Sequence, residues 1–183
     1  MSYATKYGNA LSCETSCIRS SERGTLVKTF LLRHGRRPSE RMTAVTIVAE
    51  GGRVSRVAKA RQLMGYSGAV AGENSGGERT RRGGITKTGN AHLRRALVEV
   101  AWCQRHAPNL TRSLRKRREG LGAAVQEIAA KARHRLTARS RRLLARGKTK
   151  QQVVTAIARE LLGFVWAIGV EGERHGCAGL TAA

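Results

Sequence analysis

"TKQQVVTAIARELLGFVWAIG", residues 149–169, carries the most regular apolar pattern in the chain. Its large apolar residues recur every three or four positions, at Val153, Ile157, Leu161, Val165 and Ile168. That spacing puts them on one face of an α-helix. A helix with such a face is stable only when other elements cover it, so the stretch predicts a core helix. Gly169 is predicted to end this helix, because glycine commonly follows the last helical turn.

Two stretches upstream have the same periodicity, "NAHLRRALVEVAWCQRH" (90–106) and "AAVQEIAAKARHRLTARSRRLLARG" (123–147). Their expected buried positions are Leu93, Ala96 or Leu97, Val100 or Ala101, and then Val125, Ile128 or Ala129, Ala132, Leu136 and Leu143. Trp102 and Trp166 lie in apolar helical contexts, so they are predicted as core anchors rather than base-stacking platforms. The sequence therefore predicts a mainly α protein whose later part is a bundle of about three long helices.

The region before the bundle is less regular. The apolar run "TAVTIVAEGG" (43–52) is compatible with a strand or with a buried helix. "SRVAKARQLMGY" (55–66) predicts a helix with Ser55 as its N-cap. The glycines between them suggest a helix-hairpin-helix-like segment, in which N–H groups at a helix start bind phosphate. Two core helices joined by an ordinary turn would explain the pattern equally well.

Composition divides the chain into three predicted parts. Residues 1–40 are expected to be a poorly structured lead-in that contains a remnant helix at 26–37. Residues 41–170 are expected to be the main domain, and residues 171–183 a flexible tail.

The charge of the chain is strongly positive. The formal net charge is +23, from 35 basic and 12 acidic residues, and most of the basic residues are arginine. Such a charge repels itself in a compact fold, so a polyanionic partner such as DNA is predicted. Helix 123–147 carries the largest basic face, with Lys131, Arg133, Arg135, Arg139, Arg141 and Arg142. This face is either a solvated surface or a contact to a nucleic-acid backbone, and the lack of interleaved acids favours the contact.

Several classes of protein are disfavoured. All acidic residues are Glu, whereas two-metal nucleases normally cluster carboxylates that include Asp. The four cysteines contain one close pair, Cys13 and Cys17, without the second pair that a zinc site needs. No apolar stretch reaches the roughly 18 residues of a membrane span, so a cytoplasmic protein without metal or membrane contact is expected.

"ENSGGERTRRGGITKTGN" (73–90) reads as a glycine-rich, basic loop in front of helix 90–106. Its glycines allow close backbone approach, and Asn90 is a good N-cap for the helix. The helix start adds free N–H groups and partial positive charge to the basic residues of the loop. The loop is therefore either a phosphate-binding element or a surface loop with incidental charge. Ser75 could meet a phosphodiester, but the loop offers only Glu73 and Glu78 as bases, so the residues alone argue weakly for a nucleophile.

Three stretches carry a resemblance to a known family. They are "AKARQLMGY" (58–66), "SGGERTRRGGITKTGNAHLRRALVEVAW" (75–102) and "RLLARGKTKQQVVTAIARELLGFVWAIG" (142–169). They resemble the C-terminal domain of the IS-one-ten/IS-eleven-eleven (Piv-like) insertion-sequence transposases. The resemblance is most specific in "RRGGITKTGNAHLRR" (81–95).

The resemblance implies a serine-type DNA transposase or recombinase from a bacterial mobile element, cytoplasmic and associated with the nucleoid. Family members join this domain to a RuvC-like domain with a DEDD site, for which Mg²⁺ is expected. They also use a guide RNA and act as multimers. By position the nucleophile is Ser75. The resemblance places the basic loop and the helix start near the scissile DNA, and the basic face of helix 123–147 adds its own arginines on grounds of charge. The residues expected to contact nucleic acid are therefore Arg79, Arg81, Arg82, Lys87, Thr88, Asn90, Arg94, Arg95, Arg135, Arg139 and Arg142.

The chain also departs from the family pattern. "FLLRHGRR" (30–37) resembles an upstream piece that a long segment normally separates from "TAVTIVAE" (43–50), and no RuvC-like domain is recognisable. Ser67 and Ala71 stand where relatives tend to have Leu and Pro. The expectation is a truncated copy that is inactive alone and partners with DNA, itself or a full-length transposase. The alternative is a non-catalytic nucleic-acid-binding accessory module.

Overall fold

A computed structural model describes residues 38–52, 54–76, 79–104 and 121–180. The elements are α1 (Pro38–Gly51), a 3₁₀ turn (Val54–Arg56), α2 (Ala60–Tyr66), β1 (Ala71–Gly76), β2 (Arg79–Ile85), α3 (Ala91–Cys103), α4 (Ala123–Ala145) and α5 (Lys150–Leu180). The predicted mainly α class is confirmed. Residues 1–37, with the predicted remnant helix, lie outside the described part of the chain.

Helix α5 is the centre of the fold. It packs against α4, α3, α2 and the 3₁₀ turn, while α1 packs on α3. All five residues of its predicted apolar face are buried, and Leu162 beside them is fully enclosed. Each such aliphatic side chain contributes about 1.5–3 kcal/mol by leaving water. By length and composition alone, α5 could cross a membrane. Half of its most apolar 18-residue stretch is buried inside the protein, as expected of a core helix.

The predicted end of α5 at Gly169 is wrong, since the helix continues to Leu180. Much of the segment predicted as a tail is therefore helical. Gly169 serves close packing instead: a Cβ built there would lie 2.5 Å from Cγ2 of Val54 in the 3₁₀ turn. One turn later Glu173 accepts a 2.7 Å hydrogen bond from the Val54 N–H. Glycine thus lets the 3₁₀ turn lie directly against α5.

The structure resolves two questions that the sequence left open or answered wrongly: whether 43–52 is a helix, and where the second helix begins. The run 43–52 is helical rather than extended, because Ala44, Ile47 and Val48 are spaced to enter one side of the core. The prediction of a helix from Ser55 is wrong, since Val54–Arg56 form a 3₁₀ turn and α2 begins at Ala60. A Gln62 carboxamide oxygen accepts the Lys59 N–H at 3.2 Å and caps the true start. The connection is therefore not a simple glycine hairpin.

The glycine-rich stretch is not an irregular loop. Its first part forms an antiparallel ribbon of β1 and β2, which we call the serine hairpin (residues 71–85). The register is irregular between Ala71 and Glu73, which indicates a bulge near the base of the hairpin. Sequence reasoning missed these strands because glycine and asparagine are depleted in strands. Backbone pairing between the two strands holds the hairpin together.

The predicted buried faces of α3 and α4 are confirmed, like that of α5. Leu93, Leu97 and Val100 of α3 are buried, as are Val125 and Leu136 of α4. Trp102 packs against the core, and the Trp166 indole N–H donates to the Val57 carbonyl oxygen at 2.9 Å. Asn90 caps α3, as predicted, and Gly147 follows α4 with φ of 72°.

Candidate nucleic-acid interface

The serine hairpin places Ser75 one residue before the end of β1. Its backbone pairs opposite Thr80, while Arg79, which opens β2, pairs opposite Gly76 and is exposed. Arg81 and Arg82 pair opposite Asn74 and Glu73 along the same ribbon. The backbone register therefore groups the predicted serine and three predicted basic residues within one short ribbon.

The base of the hairpin is built from two turns that dock on each other. We call residues 65–70 and 86–90 together the double turn. Three backbone N–H groups of the second turn donate to carbonyl oxygens of the first: Thr86 to Val70 at 2.9 Å, Lys87 to Gly68 at 3.1 Å and Asn90 to Tyr66 at 2.8 Å. The ladder ties the hairpin to the end of α2 and to the start of α3.

Two glycines allow the turns to approach this closely. A Cβ at Gly68, where φ is +66°, would lie 1.9 Å from the Thr88 carbonyl oxygen. A Cβ at Gly89, where φ is +94°, would lie 2.2 Å from the Tyr66 carbonyl oxygen. Both obstructing atoms belong to the backbone, so only glycine fits at either position.

Asn90 does more than cap α3. Its Oδ1 accepts the Leu93 N–H at 2.9 Å, and its Nδ2 donates to Glu50 Oε2 at 2.6 Å and to Tyr66 Oη at 3.2 Å. The side chain therefore joins α1, α2 and α3 beneath the hairpin. Because both N–H groups of its amide are engaged, a contact from this amide to a phosphate would have to replace one of these bonds.

Replacing Asn90 should be costly for this reason. We expect Asn90→Ala to lower the free energy of unfolding by about 2 kcal/mol, the upper range for a lost N-cap. Asn90→Ser is the matched control, because serine keeps the cap but not the amide donor. Urea denaturation measures both. An Asn90→Ala protein as stable as the wild type would contradict the structural role.

Arg94 and Arg95 have different environments, although the resemblance gives them one role. The half-buried Arg94 guanidinium donates from Nη1 to the Ser67 carbonyl oxygen at 2.9 Å, bracing the first turn. Arg95 is exposed, and its Nε lies 3.8 Å from Oε1 of Glu99 on the same helix. Of the two, Arg95 has the freer guanidinium for a phosphate.

Lys87 is the basic residue of the double turn, and it is exposed. Its φ of +59° is uncommon for a residue with a side chain, and such conformations concentrate at functional sites. Thr88 Oγ1 lies 3.2 Å from Thr86 Oγ1, and both residues are exposed. The Thr88 hydroxyl donates to Thr86 Oγ1, and the Thr86 hydroxyl donates to the Gly68 carbonyl oxygen at 3.3 Å. The Lys87 ammonium is therefore the group at this turn that is suited to phosphate oxygens.

The basic face of α4 is partly neutralised. Arg135 and Arg139 both pair with Glu160 of α5, whose side chain is only 15% exposed, and the Arg139 contact measures 3.1 Å. Sequence reasoning missed this acid because it comes from the next helix. Arg142 is exposed and makes no ion pair within the described residues. Lys131 is paired with Glu127 at 2.6 Å, and its hydrogen bond and charge hold the pKa of Glu127 below the ordinary value.

Two residues that sequence reasoning did not select help to support the site. The Arg56 guanidinium lies 5.0 Å from the centroid of the Tyr66 ring, and its Nη2 donates to the Gly51 carbonyl oxygen at 2.9 Å. Tyr66 is 41% exposed. Both lie outside the glycine-rich stretch, and only the fold brings them to its base.

A resident Mg²⁺ site does not fit the described part of the chain. The sequence has no Asp, and no group of three or more His, Cys or Glu residues comes together in the described ranges. Carboxylates for metal-assisted chemistry would therefore have to come from elsewhere.

Two comparisons find proteins to which this chain is similar. A sequence model described as the transposase IS116/IS110/IS902 family matches residues 39–116. A protein of Sinorhizobium fredii named as a candidate transposase, y4qE, is 50% identical over 133 residues, which are 73% of this chain and 34% of that protein. The chain thus spans about a third of the length of this curated relative. No solved structure matches the chain.

Proposed function

The chain belongs to the IS116/IS110/IS902 transposase family, and on that premise we propose that residues 41–170 bind DNA and present Ser75 to a phosphodiester. One observation carries this proposal. Ser75 sits in a backbone-paired hairpin whose base is fixed by the double turn, and exposed Arg79 lies in the same hairpin while exposed Lys87 lies just beyond it. A serine nucleophile must be held in a fixed position, because its attack on phosphorus requires a defined distance and orientation.

The step is a transesterification. The Ser75 hydroxyl oxygen forms a bond to phosphorus, and its proton passes to a base. The bond from phosphorus to one sugar oxygen breaks, and that oxygen takes up a proton and leaves as a free hydroxyl. The cations near the hairpin offset the charge that develops on the phosphoryl oxygens. The described part of the chain does not hold the carboxylates that a metal would require. We therefore propose that a second, full-length protein supplies them and that this chain is inactive alone.

The test is a denaturing gel that detects a covalent protein–DNA adduct. Purified chain would be incubated with Mg²⁺ and element-end DNA, with and without a full-length relative. We expect an adduct of this chain when the relative is present, and no adduct with Ser75→Ala. Ser75→Cys is the matched control, because it restores a nucleophile of similar size. An adduct that survives Ser75→Ala would overturn the assignment of the nucleophile.

A second reading is a non-catalytic accessory module that binds nucleic acid. The absence of Asp from the chain favours it. Salt-dependent DNA binding without any adduct, even with a full-length relative present, would support this reading. Binding to a structured RNA and self-association are further proposals from family membership, tested by adding element-flank RNA and by measuring mass in solution.

The exposed cations of the site make a quantitative prediction. Arg79→Ala combined with Lys87→Ala should reduce the slope of log affinity against log salt by about 2, since each phosphate contact contributes about 0.9. Fluorescence anisotropy with duplex DNA over a range of salt measures the slope. Lys131→Ala combined with Arg174→Ala is the matched control, because both side chains are exposed and already paired with Glu. An unchanged slope for the first pair would remove the hairpin from the DNA interface.

A further inference from the structure

The turn between α4 and α5 carries a second basic surface. Residues 141–150 contain five basic residues and no acid: Arg141, Arg142, Arg146, Lys148 and Lys150. All five are exposed, and none makes an ion pair within the described ranges. We call these five residues the turn surface. Glu160, the next acid along the chain, is already held by Arg135 and Arg139.

Helix-end electrostatics accounts for only part of this cluster. Arg142 and Arg146 lie at the carboxyl end of α4, where positive charge is favourable. Lys148 and Lys150 lie at the amino end of α5, where the helix dipole disfavours cations, and the first turn of α5 has no acid to offset them. Five mutually repelling charges therefore persist against a local electrostatic cost, which a bound polyanion would remove.

The surroundings of the turn surface favour DNA over a membrane. A membrane-surface helix needs an apolar face that can enter the lipid, but the apolar face of α4 is buried, with Ala132 and Leu136 in the core. Leu144 is the large apolar residue exposed near the turn, at 42%. Arginine forks are suited to phosphate oxygens, and duplex DNA presents one charge per about 1.7 Å of helix axis.

The turn surface is also separate from the serine hairpin. Helix α2, which leads into the hairpin, meets α5 at Gly163, where a Cβ would lie 3.6 Å from Cε of Met64. Lys150 begins α5 thirteen residues earlier. At about 1.5 Å per residue, the two places are about 20 Å apart along α5. Side chains at that distance act independently, so the turn surface can be altered without disturbing the packing of α2, the helix that leads into the hairpin.

We propose that the turn surface binds the phosphate backbone of duplex DNA, independently of the serine hairpin. This deepens the proposed function and rests on it only in taking DNA as the partner, since no reactive serine is required. The surface supplies sequence-independent affinity, and the hairpin contacts the strand that reacts.

The experiment measures the salt dependence of affinity for a labelled DNA duplex, using the full chain. The variant replaces Arg142, Arg146, Lys148 and Lys150 with Ala. The control replaces Lys59, Arg61, Lys131 and Arg174 with Ala, which removes the same charge from exposed positions elsewhere. Four contacts predict that the wild type loses about 100-fold more affinity than the variant between 50 and 200 mM salt. The control should lose affinity as the wild type does.

A second variant separates binding from folding. Lys148→Glu with Lys150→Glu puts acids at the amino end of α5, which should stabilise the helix while repelling phosphate. We expect an unchanged or higher melting temperature together with weaker DNA binding. Equal salt dependence for the wild type and the four-alanine variant would overturn the proposal.

Two further outcomes distinguish the proposals. If Arg79→Ala with Lys87→Ala lowers the slope and the turn variant does not, the proposed function stands without the turn surface. If the wild type does not bind DNA, both proposals fail. A turn variant that loses binding to phosphatidylserine vesicles but keeps DNA affinity would assign the surface to a membrane instead.

Discussion

Gly68→Ala should detach the serine hairpin from the helices beneath it and lower the free energy of unfolding by about 3 kcal/mol or more. The left-handed backbone at this position costs a residue with a side chain about 1–2 kcal/mol. The new methyl group would also lie 1.9 Å from the Thr88 carbonyl oxygen, which cannot rotate away as a side chain could. The turns must therefore separate, and the Lys87 N–H then loses its bond to Gly68.

Urea denaturation measures the global loss, and hydrogen exchange at the Thr86 and Lys87 amides measures the local one. Gly65→Ala is the matched control, because Gly65 lies in α2 and a Cβ there meets nothing within 4 Å. Alanine is also the better helix former, so this control should be neutral or stabilising. Unchanged exchange at both amides in the Gly68→Ala protein would show that the double turn does not hold the hairpin.

Gly169→Ala is the second large effect that we expect. The added methyl group would lie 2.5 Å from Val54 Cγ2 and 3.0 Å from Val54 Cβ, so the 3₁₀ turn must move off α5. Overpacking of this kind costs about 1–3 kcal/mol. The displacement would also lengthen two hydrogen bonds that hold residues 54–57. Glu173 accepts one of them from the Val54 N–H, and the Trp166 indole N–H donates the other to the Val57 carbonyl oxygen.

Gly163→Ala isolates this contact from helix propensity. Gly163 lies in the same helix, and a Cβ there would be at an ordinary 3.6 Å from a flexible methionine methyl group. Alanine should therefore stabilise α5 by up to about 1 kcal/mol at this position. Thermal and urea denaturation of the two proteins should differ in opposite directions from the wild type. If both substitutions were stabilising, the 3₁₀ turn would not pack on α5 as described.

The hydrogen bonds of Asn90 and Arg94 indicate that these two residues support the fold, although both were predicted to contact nucleic acid. Family resemblance groups both with the residues that contact nucleic acid, but their polar atoms bind Glu50, Tyr66 and Ser67 within the protein. We therefore expect substitutions at these two positions to act first on stability. Substitutions at Arg79 and Lys87, which are exposed, should act first on DNA affinity.

The sequence by itself determined the buried faces of the three long helices of this protein. Apolar residues repeating every three or four positions specify which side of α3, α4 and α5 enters the core, because burial of that face dominates their stability. Asn90 and Gly147 were identifiable as helix ends for an equally local reason: a side-chain acceptor caps one end, and a left-handed residue follows the other. The excess of positive charge likewise requires only counting.

Only the tertiary structure decided the features that depend on distant partners. Gly169 resembles a C-terminal helix cap in the sequence, yet α5 continues past it. The glycine is instead needed for packing, since Val54 occupies the space that a side chain would fill. The serine hairpin forms from residues with poor strand preference, since its two strands pair through their backbones and its base docks through the double turn. Glu160 pairs with two arginines from another helix and offsets part of their charge. Such contacts join residues far apart in the chain, and no local pattern records them.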